Sequence, residues 1–163
     1  MKIIDRLNED KIHISFEVFP PKTDAGFDKV LDATDKIAAL KPSYISVTYG
    51  AGGGTSKNTA RIASHIKDDL GVLSLAHLTC ASSTKEEVRS VIANLRQLGI
   101  ENILALRGDI PEGMVFPTED RFRYAWELVE EIKKYGDFCI GAACYPEGHV
   151  ENEHKADDIR FLK

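Results

Sequence analysis

Cysteine is scarce. The chain holds three, Cys80, Cys139 and Cys144, among 163 residues. An odd count without a C-x-x-C pair argues against a disulfide framework and a structural zinc site. Reduced thiols suit a cytoplasmic location. Positive charge is also in deficit: the formal net charge is −5, so nucleic acid and other polyanions are disfavoured as partners. No apolar run approaches the ~20 residues that span a bilayer. The N-terminal stretch MKIIDRLNEDK is charged from its start, unlike a secretory leader. Low-complexity tracts and interdomain linkers are missing too. His149 and His154 stand five apart beside Glu147, Glu151 and Glu153. This spacing describes a solvated acidic loop better than a metal site, and no metal is expected.

The chain does have an ordinary globular composition, 43% hydrophobic and 29% charged, and a length suited to one domain. A strand-like apolar run, a polar loop and an amphipathic helical pattern recur about every 30 residues. The runs are IHISFEVF, YISVTY, LSLAHLT, NILALR and CIGAACY. They end near Glu17, Thr48, His77, Arg107 and Tyr145. The first helix shows Phe27, Val30, Leu31, Ile37 and Ala38 on one face, and the second starts at Thr55 or Ser56 with Ile62 and Ile66 inward. The third opens with Thr84 and Glu87 at capping-box spacing, carries Val88, Val91, Ile92, Leu95 and Leu98, and ends at Gly99. The fourth is expected over 120–135 with Phe122, Trp126, Val129 and Ile132 inward, and a fifth begins near Lys155.

Strand–helix alternation predicts parallel strands covered by helices. An open doubly wound sheet and a (β/α)8 barrel both fit that pattern. His13, Ser15 and Glu17 share one face of the first strand, opposite Ile14, Phe16 and Val18, and Ser46 and Thr48 oppose Ile45 and Val47 in the second. A sheet clad on both faces is apolar on both. A polar face that strengthens toward the strand ends favours the barrel, whose active site lies at that mouth. Five strands fall short of the eight that closure needs over typically ~250 residues. The expected domain is therefore a single partial barrel spanning 1–163 and ending inside the fifth helix.

The strand ends hold the candidate chemistry. Glu17 lies in an apolar run that stops at Pro20 and Pro21. It reads either as a buried ion-pair member or as a general acid that holds a proton because it is desolvated. YGAGGGTSKNT, from Tyr49, is a glycine-rich strand-to-helix loop. Gly50, Ala51 and Gly52 satisfy G-x-G, but Thr55 stands where a dinucleotide fingerprint needs a third glycine. The loop reads as a plain flexible connection or as a backbone cradle for phosphate or a flat ligand. His77 would share a face with Leu75 and Thr79, as a satisfied core histidine or as a site residue. In LALRGDIP, Arg107 and Asp109 flank Gly108 as an ion pair or as a fork toward a polar heterocycle.

ISFEVFPPK, SVTYGAGGGT, AHLTC, LALRGDIP, YAWELV and AACYPEGH, in this order, resemble the methylenetetrahydrofolate reductases over essentially the whole chain, in the short bacterial form. The resemblance implies a (β/α)8 barrel with FAD at its C-terminal mouth. It also implies NADH or NADPH as reductant and conversion of 5,10-methylenetetrahydrofolate to 5-methyltetrahydrofolate. Glu17 matches the family's general acid and Asp109 an acid near flavin and pterin. Thr48, Tyr49, Ala51, His77, Arg107, Gly108, Asp109, Tyr124, Ala125, Tyr145, His149 and Asp158 match positions around FAD. A homo-oligomer with a small folate substrate and no membrane or nucleic-acid partner is implied. Two other readings remain: a nicotinamide-binding α/β oxidoreductase of another kind, and a non-enzymatic half-barrel that binds flavin or associates with itself.

Overall fold

A computed structural model describes residues 1–21, 23–49, 56–149, 152, 154, 156 and 157. In chain order it contains α1 (Ile3–Leu7), β1 (Ser15–Val18), α2 (Phe27–Ala38), β2 (Tyr44–Val47), α3 (Ser56–Asp68), β3 (Ser74–Thr79), α4 (Lys85–Gln97), β4 (Asn102–Leu106), α5 (Ala125–Lys133) and β5 (Cys139–Ala142). Ala156 and Asp157 are helical, where the next helix was expected.

The strands form one parallel sheet in the order β1-β2-β3-β4-β5. Each joins the strand just before it, so the order never reverses. Right-handed crossovers repeated in one direction place the crossover helices α2–α5 on the same face. A doubly wound sheet has a switch point where the order reverses, and the described strands contain none. The sheet is open: no pairing joins β1 to β5.

Register explains why the two faces differ. Ile45 pairs with Ser74 and Val47 with Ala76, while Ala76 pairs with Ile103 and Leu78 with Ala105. Ile45, Val47, Ala76, Leu78, Ile103 and Ala105 are fully buried under the helices. Ile62, Ile66, Val88, Ile92, Leu128 and Ile132 cover them. A fully buried side chain of this size contributes roughly 1.5–3 kcal/mol. On the other face Glu17 pairs with Ser46, Ser46 with Leu75, and His77 with Leu104.

Local signals set the helix ends. Thr84 Oγ1 accepts from the Glu87 N–H at 3.2 Å, and a Glu87 carboxylate oxygen accepts from the Thr84 N–H at 2.7 Å. Gly99 follows α4 with φ +65°, a left-handed conformation that glycine adopts without strain. Between α4 and α5, buried Glu131 accepts from Arg89 Nε and Lys134 Nζ, both at 2.7 Å.

Three expectations need correction. The fourth helix starts at Ala125, not near Asp120, because Glu127 accepts from the Arg123 and Tyr124 N–H groups at 2.6 and 2.9 Å and caps the helix there. Trp126 is exposed, and Leu128 takes the inward position with Ile132. Glu17 is not desolvated: its side chain is 46% exposed on the open face. Helix α1 was not anticipated. Its Ile3 N–H donates to Asn102 Oδ1 at 2.8 Å, while Asn102 Nδ2 donates to the Ser74 carbonyl at 3.2 Å.

Candidate functional site

The C-terminal ends of the parallel strands carry most of the sequence candidates. Glu17 projects from β1, Thr48 and Tyr49 follow β2, and His77 stands in β3. Arg107, Gly108 and Asp109 follow β4, and Tyr145 and His149 follow β5. Tyr124 caps α5 and Ala125 is its first residue. Ala51 and Asp158, with the glycine-rich stretch 50–55, lie outside the described residues.

One contact among these side chains spans three strands. Glu17 Oε2 lies 3.3 Å from Ser46 Oγ, which donates to it, and 3.5 Å from His77 Nε2. Alternation within each strand puts these groups on the uncovered face. His77 itself is buried, 8% exposed. Its burial pushes the imidazole pKa down, and the Glu17 carboxylate pulls it partly back up. The ring therefore favours its neutral form, with a donor or an acceptor at Nε2 according to tautomer.

Backbone geometry shapes the next part of the rim. The Arg107 carbonyl accepts from the Cys80 and Ala81 N–H groups at 3.1 and 2.9 Å. Gly108 then turns with φ +78°. A Cβ there would come within 2.8 Å of Thr79 Cβ, so the turn lies flat against the end of β3. Arg107 and Asp109 leave this turn, and Asp109 is exposed. Asp109 follows the fourth strand and Glu17 belongs to the first. The strands β2 and β3 lie between the two that carry them, and both residues stand toward the same sheet edge.

Beneath the rim, the buried Cys80 thiol approaches the Arg107 and Tyr124 carbonyls, both at 3.8 Å. Desolvation, reinforced by the Glu127 charge, pushes this thiol up to about 12. It stays protonated and acts as a packing group. Thr59 in the first turn of α3 donates to the Thr48 carbonyl at 2.9 Å, fixing the end of β2. Tyr145 and His149 meet edge to face, with ring centroids 4.8 Å apart.

The residues therefore offer a hydroxyl, an imidazole, a carboxylate and a guanidinium around an open sheet face, with exposed Tyr124 and Tyr145 at the margin. That donor set suits a flat, polar-rimmed heterocycle, which needs hydrogen bonds at its edge and free space over its plane. The sequence placed Ser46 on this face without a role. Its contact with Glu17 depends on strand register, which alternation within one strand does not reveal. Cys80, two residues beyond Leu78, was read only as a reduced thiol.

The family model for methylenetetrahydrofolate reductase matches residues 2–163. The 5,10-methylenetetrahydrofolate reductase of Escherichia coli (strain K12) is 39% identical over 155 residues, covering 95% of this chain and 51% of that protein. The enzyme of the same name from Buchnera aphidicola subsp. Schizaphis graminum is 39% identical, over 99% of this chain and 54% of its own length. Methylenetetrahydrofolate reductase (NADH) 1 of Zea mays is 38% identical, over 99% of this chain and 30% of that protein. The chain spans about half the length of the bacterial relatives it matches.

Proposed function

Because the chain belongs to the methylenetetrahydrofolate reductase family, we propose that it forms the FAD-binding part of an oxidoreductase that reduces 5,10-methylenetetrahydrofolate to 5-methyltetrahydrofolate with NADH or NADPH. The proposed architecture is a partial (β/α)8 barrel. Sequential parallel order and one-sided helices support it, since continuing the same winding curls the open face into a lumen. The cytoplasm is the proposed location.

One observation carries the reading: Glu17, Ser46 and His77 converge on the uncovered face at the strand ends. Around it, Thr48, Tyr49, Ala51, Arg107, Gly108, Asp109, Tyr124, Ala125, Tyr145, His149 and Asp158 are proposed, with His77, to hold FAD. The flavin supplies hydride transfer between nicotinamide and folate. The flat Gly108 turn allows close approach, Arg107 offers donors to the polar rim, and exposed tyrosines exclude water beside a bound ring. Glu17 is the proposed general acid, giving a proton to the folate as its five-membered ring opens. Its carboxyl is exposed on the face that a bound ligand would cover.

Purified protein incubated with FAD should retain visible flavin absorbance, and NADH or NADPH should bleach it without oxygen. Protein that stays colourless at saturating FAD would reject the reading. A second reading, a half-barrel that associates with itself, has its own support: among the described residues both outer strands are unpaired on one side, and Ile12 and Ile14 beside β1 are exposed. Colourless protein whose mass grows with concentration would favour it.

A further inference from the structure

Glu17 is flanked by a group whose charge can change. We propose that His77 is a positioning residue for Glu17, holding the carboxylate over the open face and setting, through its own charge, how readily that carboxylate takes a proton. The proposal rests on the reading of Glu17 as the general acid. It is carried by the 3.5 Å approach of Nε2 to Oε2, with Ser46 Oγ on the same oxygen at 3.3 Å.

An imidazolium at that distance would keep the carboxylate ionised; a neutral imidazole exerts no such hold. Burial of the ring works toward the neutral state. The arrangement thus fixes a carboxylate in place without supplying a permanent cation, as a lysine or arginine would.

Among the described residues, the neighbouring strands bring these groups toward His77. From β1 comes Glu17. From β2 comes the hydroxyl of Ser46, which does not titrate in this range. From β4, Leu104 lies in register with His77, and the charged Arg107 and Asp109 follow beyond the strand end. The helices cover the opposite face.

The experiment follows the His77 ring by NMR through a pH titration of the whole chain, without flavin or folate. Glu17→Gln should lower the His77 midpoint by about half a pH unit or more at low salt, since it removes the anion that favours the imidazolium. Added salt should shrink that difference. Glu17→Asp should retain part of it, and Asp109→Asn should leave the midpoint in place. An unchanged midpoint in Glu17→Gln, or an equal shift in Asp109→Asn, would overturn the pairing. A shifted midpoint together with undiminished folate turnover in Glu17→Gln would uphold the pairing and reject the general-acid reading.

Discussion

Gly108 rests directly against Thr79, so closely that a Cβ on the glycine would lie 2.8 Å from Thr79 Cβ. Its φ of +78° adds a second constraint, because L residues are strained in that region. Gly108→Ala should therefore destabilise the chain by about 2–3 kcal/mol. It should weaken FAD retention more than Gly113→Ala, where φ is +76° but a Cβ meets nothing within 4 Å. Denaturant midpoints and flavin titrations on both variants check this, and equal losses would locate the effect in backbone strain alone.

Glu17→Gln keeps the shape of the side chain and its hydrogen bond from Ser46. The variant should still bind FAD and oxidise reduced nicotinamide with an artificial acceptor. Folate reduction should fall by about 100-fold or more, the range associated with losing a general acid. The two half-reactions measured separately decide the matter; parallel losses in both would show damage to the flavin site instead.

His65 gives a pH dependence on the alkaline side. Its Nε2 lies 2.7 Å from Asp35 on α2 and its Nδ1 lies 2.7 Å from Asp69. Both ring nitrogens donate only in the imidazolium. Partial burial opposes that charge, but the hydrogen bonds to Asp35 and Asp69 outweigh it and raise the pKa above the usual value. A raised folded-state pKa means the contribution is complete below the unfolded value, about 6.5, and disappears as pH climbs through the folded one. The thermal midpoint of the native chain should exceed that of His65→Gln most clearly near pH 6, with the gap closing toward pH 9. A gap that does not vary with pH would refute the clamp.

Glu131 works in the acid direction. Its hydrogen bond from Arg89, then that from Lys134, hold the carboxyl below its ordinary range. The depressed value makes its contribution complete above the unfolded pKa, about 4.3, and lost as pH falls through the folded value. Glu131→Gln should be less stable than the native chain at pH 7 and should approach it below pH 4. Acid titrations of the denaturation midpoint test this.

Helix and strand positions were legible wherever a signal was local. The Thr84–Glu87 box, the Gly99 stop and the alternation in SFEV each depend on neighbours a few residues away, and the structure bears them out. YISV forms its strand as expected, but Ser46 is buried there like its neighbours Ile45 and Val47. The contrast between the two sheet faces was legible for the same reason. Trp126 misled because hydrophobicity alone placed it inward, whereas the cap at Tyr124 sets the helix phase and turns Leu128 to the core. Exposure of Glu17 depends on what lies above the open face, which no strand pattern encodes. The contact from Glu17 to Ser46 and His77 required the register of separate strands. Helix α1 escaped because five residues carry too little periodicity to recognise, and a distant side chain holds it.

That distant side chain is Asn102, and its reach has a kinetic consequence. The seat for Ile3 lies 99 positions later in the chain and includes the carbonyl of Ser74. During synthesis the first helix is made early but cannot dock until the third and fourth strands lie side by side. Contacts of such long sequence separation form slowly. The opening segment should thus be among the last parts of the molecule to gain protection from hydrogen exchange.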